Sequence, residues 1–377
     1  MAGIIRKICR FLALALAVVA CGSGILYVPG DGLDRQTWSQ AGGGEDGRAY
    51  WEQGIEPPLR LLWQQKIEAP PLDGMLFSER LVLQQTTAPS LYVFDRYSGR
   101  FLGKRGGDNP VCAPPMLVGD LLVYGELGSK PKLRAFDRRT GKVSWSYPGT
   151  VCASVAGRGD TLLVAIESGQ LVALSAGDGA ELWKQEVGGL LYTPPAVESG
   201  FVYIGNSAGD LVALDLADGE ERWRCDLGGG VRTRPAAGEE HIYVGTVGGG
   251  IEAVRADSGR RVWRCDLGAL LTAGMALTPD VLVVGAADHS IYGIERKAGE
   301  IRWQFATEGV VRGAPAVVGQ TVYCGSADGH FYALDSASGR LQWKYRLDGP
   351  ALSPVALGER MVGIGTEEGM VYVFGRL

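Results

Sequence analysis

From about residue 59 onward, apolar and polar residues alternate with a period of two in runs of four to six. The runs include the strongly apolar Leu171-Val172-Ala173-Leu174, Phe201-Val202-Tyr203-Ile204-Gly205 and Leu211-Val212-Ala213-Leu214-Asp215. Alternation of this kind belongs to half-buried β-strands. Glycine and proline separate the runs, and no stretch of helical length carries the 3.6-residue period. The pattern predicts an all-β chain of many short strands.

The strands recur in a fixed unit. Trp145, Trp183, Trp223, Trp263, Trp303 and Trp343 follow one another at 38, 40, 40, 40 and 40 residues. Four residues before each stands Gly141, Gly179, Gly219, Gly259, Gly299 or Gly339. Eight before stand Asp137, Ser175, Asp215, Arg255, Glu295 and Asp335, and ten before stand Ala135, Ala173, Ala213, Ala253, Gly293 and Ala333. Each position has a physical role: the carboxylate bonds turn amides, the glycine closes the turn in the left-handed region, and the small residue makes room for the indole of a neighbouring unit. Four short strands fit in 40 residues. One such sheet cannot bury both faces alone, so the units are expected to stack radially as blades of a β-propeller.

A degenerate unit precedes the clear ones, with Val93, Asp95 and Gly99 in phase and Gly103 where tryptophan is expected; Trp63 lies 40 residues earlier. After Trp343 the chain supplies three further strands but no tryptophan strand. The segment from Leu59 to Lys66, which contains Trp63, has no preceding strands of its own, so it is expected to complete the last blade and close the ring, leaving no open edge. The reading is an eight-bladed propeller of four-stranded antiparallel blades over residues 58–377. Seven blades is the alternative, should the Gly103 unit be irregular.

Upstream, Arg6, Lys7 and Arg10 precede an apolar run from Phe11 to Ala20, which suits a secretory signal and is short for a bilayer span. Residues 1–20 read as a signal peptide. Residues 21–57 read as a glycine-rich lead-in, with Trp38, Tyr50 and Trp51 as candidates to dock on the domain.

Charge removes some partners from consideration. The whole chain is −5, and without the three signal-peptide cations it holds 34 basic and 42 acidic residues, a net of −8. Strong binding to nucleic acid or to anionic lipid is therefore not expected. The 57 glycines fall in phase with the turns, so stretches such as Gly228-Gly229-Gly230 and Gly248-Gly249-Gly250 need no phosphate to explain them. His241, His289 and His330 are scattered in repeat phase, and the haem, zinc and phosphate-loop signatures are missing from the sequence. No cofactor and no metal site is expected.

Five cysteines lie beyond Cys9 and Cys21. Cys225 and Cys265 stand two residues after a tryptophan, on outer strands that splay too far apart for a disulfide, and are expected to be buried free thiols. Cys112 and Cys152, 40 residues apart near the axis, could be paired; Cys324 completes the set.

The unit Ala213-Leu214-Asp215 with Gly219 and Trp223 resembles the tryptophan-docking repeat of quinoprotein propellers, over residues 59 to 377. Likewise Val18-Val19-Ala20-Cys21 resembles the bacterial lipobox, with Val18 where leucine is commoner, which implies lipid attachment at Cys21. Gly22 after that cysteine then implies the outer membrane, facing the periplasm. A lipoprotein with such a lead-in is similar to the BamB family of outer-membrane β-barrel assembly. The resemblance implies a non-enzymatic scaffold, monomeric within a complex, whose partner is the periplasmic part of the barrel-forming protein. In that family, loops of the middle blades carry Leu-x-Leu-Arg and Asp-x-Asp. The nearest candidates here are Leu190, Leu191, Tyr192, Arg232, Arg234 and Arg312; Asp-x-Asp does not occur in the chain. The plain alternative for these residues is packing of the inner strands. Other possibilities are a scaffold for a different envelope complex and a quinone- or small-molecule-binding protein. The related dehydrogenases are longer and carry adjacent cysteines over their quinone, and no Cys-Cys pair occurs here.

Overall fold

A computed structural model of the chain describes residues 26–33, 39–40, 43–72, 74–151, 153, 155–271 and 273–376. Cys21, Trp38 and Cys152, and with them the signal, the lipid site and any Cys112–Cys152 pairing, lie outside the described residues. Every regular element among those described is a strand.

The strands form eight antiparallel blades. Blade 1 comprises Leu76–Phe77, Leu81–Gln85, Ser90–Asp95 and Phe101–Gly106. Blades 2 to 7 repeat this order and end in the outer strands Val143–Pro148, Glu181–Glu186, Glu221–Asp226, Arg261–Asp266, Ile301–Ala306 and Leu341–Arg346. Second and third strands are buried along most of their length because both of their faces meet another blade. Outer strands alternate, as in the exposed-exposed-buried-exposed pattern of Glu181–Glu186.

Blade 8 takes Ala356–Gly358, Met361–Gly365 and Met370–Gly375 from the C-terminus and Arg60–Lys66 from the N-terminal side. Trp63 pairs with Val373 and Lys66 with Met370. Eight blades are present, and the Gly103 unit is regular: Gly103 faces Val93 with the same bulge that follows every other third strand.

The tryptophans join blades. Each indole N–H donates to a carbonyl in the turn of the next blade: Trp63 to Arg96, Trp145 to Ala176, Trp183 to Leu216, Trp223 to Ala256, Trp263 to Arg296 and Trp303 to Ser336, at 2.8–2.9 Å. The ring lies on the glycine of that same turn, so a Cβ on Gly99 would fall 2.5 Å from Trp63 Cγ. This corrects one expectation. The in-phase alanine is opposite the tryptophan of its own blade, as Ala213 is opposite Trp223, and the residue that a neighbouring indole covers is the glycine.

Two seams depart from the rule. Blade 8 has no turn between its third and fourth strands, since they come from opposite ends of the chain. Trp343 therefore meets Phe374 instead, edge-on at 5.6 Å and 78°, and its expected docking into a turn is corrected. Between blades 1 and 2, Arg105 stands in for the missing indole. It donates to the Gly141 carbonyl at 3.1 Å and stacks 4.1 Å over Phe136.

Cys265 and Cys324 are buried free thiols, and Cys225 is a free thiol that is only half-buried.

Candidate partner-binding face and the occupied axis

The propeller has two ends. One, the turn end, carries the tight turns between first and second and between third and fourth strands. The other, the loop end, carries the loops that lead from each outer strand into the next blade.

The lead-in lines the axis. Glu45, Asp46, Arg48 and Ala49 present their carbonyls to the amides of Val197, Ala237, Leu277 and Val317, at 2.7–2.9 Å. These four acceptors face four successive blades, and the four donors are equivalent positions 40 residues apart. Ser39 does the same for Leu117 at 2.7 Å. Tyr50–Trp51 then runs parallel to Val317–Val318 as a fifth strand of blade 7, and Tyr323 donates to the Ile55 carbonyl at 2.8 Å. First strands expose one unpaired edge to the axis, and the lead-in satisfies amides that would otherwise depend on water. Gly47 is required here: its φ is +70° and a Cβ would overlap the Pro235 carbonyl. Tyr50 and Trp51 thus dock as expected.

Arg234 belongs to this assembly. It is buried and donates to the carbonyls of Pro195 at 3.2 Å and Glu45 at 3.1 Å. Burial lowers its pKa to about 10, against the pull of Asp46 and Glu45, and it stays charged at neutral pH. Arg48 completes the set by bonding Glu198 Oε2 and the Ala237 carbonyl, both at 2.6 Å.

The remaining candidates are at the loop end. Leu190 is 40% exposed, and Arg232 and Arg312 are exposed on the corresponding loops into blades 5 and 7. The Arg232 guanidinium lies 4.4 Å over the half-buried ring of Tyr192. Leu191 is fully buried and packs with Val197 and Val202 in the blade 3–blade 4 core, so it and Arg234 do not reach the surface. Two exposed residues escaped the sequence reading. Leu270, 47% exposed, repeats the phase of Leu190 two units later, a signal that was available; Val247, 43% exposed, sits in a turn with no such marker. The loops are held firmly: Ser207 Oγ accepts the Leu190 amide at 2.8 Å and the Ser207 amide donates back to Leu190 O at 2.9 Å.

Carboxylates at this end have structural partners. Burial works to raise the pKa of Asp328, yet bonds from the Tyr332 hydroxyl at 2.8 Å and the amides of Glu308 and His330 hold it below the usual range. Asp288 accepts the Tyr292 hydroxyl and Asp348 the Tyr372 hydroxyl in the same manner. Among the described residues no three histidines, cysteines or carboxylates converge to hold a metal ion.

A ring of eight docked blades with its axis threaded by its own lead-in, and with apolar and arginine side chains on fixed loops at one end, defines a propeller of the quinoprotein type. The chain belongs to the family described as outer membrane protein assembly factor BamB, whose model matches residues 45–190, 168–264 and 247–373. It is similar to the crystal structure of BamB from Moraxella catarrhalis, with TM-score 0.69 and 19% identity over 84% of this chain and 100% of that one. It is also similar to the computationally designed Ika8 protein, with TM-score 0.72 and 17% identity over 82% of this chain and 98% of that one. A europium-containing methanol dehydrogenase shares the fold, with TM-score 0.75 and 13% identity over 91% of this chain and 98% of that one. No curated protein matches the chain.

Proposed function

We propose that the protein is a non-enzymatic accessory subunit of outer-membrane β-barrel assembly, lipid-anchored at Cys21 and facing the periplasm. Its loop end binds the periplasmic domains of the barrel-assembly protein. The observation that carries this reading is the row of Leu190, Tyr192–Arg232, Leu270 and Arg312 on successive loops, where rigid backbone displays arginine and tyrosine anchors of the kind that dominate protein interfaces, flanked by exposed leucines. Family membership supports the same reading. The occupied axis supports a scaffold, since the lead-in uses the inner edges that a ligand at that level would need.

Purification from detergent-solubilised outer membranes tests it. Barrel-assembly subunits are expected to co-purify, and Arg232→Glu with Arg312→Glu is expected to lower that association about tenfold, the scale of losing one or two hot-spot contacts. Retrieval of a different envelope complex, or unchanged retrieval with both reversals, would overturn it.

A further inference from the structure

We infer that the turn end over blades 8, 1 and 2 rests on the anionic surface of a phospholipid bilayer. The tether comes from the lipid-anchored reading above, and the chemistry of the face from the structure.

The lead-in is clamped to this sector. Leu26, 2% exposed, joins the apolar cluster of Leu76, Leu81, Leu83 and Leu122. Asp31 and Arg138 form a fully buried ion pair, and Arg138 Nε donates to the Leu26 carbonyl at 3.1 Å. Arg80 adds a bond to the Pro29 carbonyl at 2.7 Å and donates its amide to Asp31 at 2.9 Å. Removing one partner from a buried pair is costly, so this attachment holds whatever the rest of the lead-in does. Four residues separate Leu26 from Cys21, and a fully extended chain covers at most about 3.6 Å per residue, which holds a lipid on Cys21 within about 18 Å of this sector.

Charge selects the same sector. Exposed Arg60, Arg80, Arg100, Arg139, Lys142 and Arg360 lie at this end of the sector, Arg139 paired with Asp120, against Glu79, Asp95, Asp120, Asp137 and Glu359. The equivalent turns of blades 3 to 5 present Arg158, Arg255 and Arg260 against Asp160, Asp178, Asp215, Asp218, Glu220, Glu239, Glu240 and Asp257. Within a chain that is acidic as a whole, the sector where the tether leaves is thus basic on balance, and the turns of blades 3 to 5 are strongly acidic. Tyr97, 59% exposed, and Tyr27, under the Arg139 guanidinium at 5.2 Å, add the amphipathic rings that suit the headgroup region. The loop end, with its partner-binding row, then points away from the membrane.

The test uses the lipoprotein as purified from membranes, with a fluorescent unnatural amino acid at Ser98 on this face or at Ser207 on the loop end. Each form is reconstituted into vesicles of phosphatidylethanolamine with phosphatidylglycerol, carrying a nitroxide-headgroup lipid. Quenching is expected to be at least twofold greater at 98 than at 207. It should fall to the 207 level in phosphatidylcholine alone, in 1 M salt, and in the triple variant Arg80→Glu, Arg139→Glu, Lys142→Glu. Equal quenching at both positions, or quenching at 98 indifferent to salt and lipid charge, overturns the inference. The salt arm separates these outcomes even if the triple variant fails to fold. Mass spectrometry at Cys21 reports acylation separately, so quenching at 98 by an unacylated chain would retain the membrane face and reject the anchor.

Discussion

Trp63 donates its indole N–H to the Arg96 carbonyl at 2.8 Å, and its ring covers Gly99. The tryptophan belongs by strand pairing to the last blade and by docking to the first, so one side chain spans the point where the two ends of the fold meet. Trp63→Phe, which keeps an aromatic ring and leaves the carbonyl unpaired, is expected to cost about 1–2 kcal/mol; Trp63→Ala, which also opens a cavity, about 3–5. Trp263→Ala should fall in the same upper range. Denaturant midpoints check all three, and an unchanged midpoint for either alanine variant would contradict docking.

Gly99 makes a separate test. Its φ of +67° and the closeness of Trp63 leave no room for a Cβ, whereas a Cβ on exposed Gly106 meets nothing within 4 Å. Gly99→Ala is expected to destabilise by more than about 1 kcal/mol and Gly106→Ala to stay within about 0.5. Thermal melts of the two variants side by side decide the matter.

Arg105 replaces an indole by stacking on Phe136 and bonding the Gly141 carbonyl. Lysine keeps the charge but has no plane to stack. Arg105→Lys should therefore behave like Arg105→Ala, and amide exchange in blades 1 and 2 should quicken in both. Protection retained in the lysine variant would show that charge alone holds the seam.

Arg232 and Arg234 are two residues apart with opposite environments. Arg234→Ala is expected to release the lead-in, seen as faster limited proteolysis between residues 39 and 51 and a lower melting temperature. Arg232→Ala should leave both unchanged and weaken only partner association.

The turn carboxylates set the acid limit. The Thr140 amide, at 2.8 Å, holds the Asp137 carboxyl below its usual range, and the Arg222 guanidinium with the Ala217 amide does the same for Asp215. A group made more acidic by folding adds stability above its unfolded pKa, about 3.9, and loses it as pH falls through the folded value. Melting temperature should be level from pH 5 to 7 and drop below about pH 4, with Asp215→Asn reducing the drop. The tyrosines work at the other limit: burial pushes Tyr203 and Tyr372 up to about 12, so stability should fade once pH passes about 10.

Much of this architecture was readable along the chain. Tryptophan spacing and period-two alternation report local strand geometry and a repeated contact, and both survive in a linear string. Closure was readable because the strand around Trp63 had no partners of its own. The surface candidates were less so: Leu190 and Leu191 are neighbours in sequence, and only the path of the loop turns one out and the other in. Arg105 could not be recognised as a substitute for tryptophan, because it stands two residues from the expected position and acts through a ring in the next blade.

The sequence by itself determined the strand content, the unit and the pairing of the two ends, because each follows from side-chain size and polarity recurring at fixed intervals; it left the count at eight or seven, which the regular pairing of Gly103 with Val93 resolved to eight. Tertiary structure alone decided the course of the lead-in, the burial of Arg234 and the placing of the basic sector beside the tether. Those depend on main-chain carbonyls, which every residue carries, and on which distant turns the ring brings to one end.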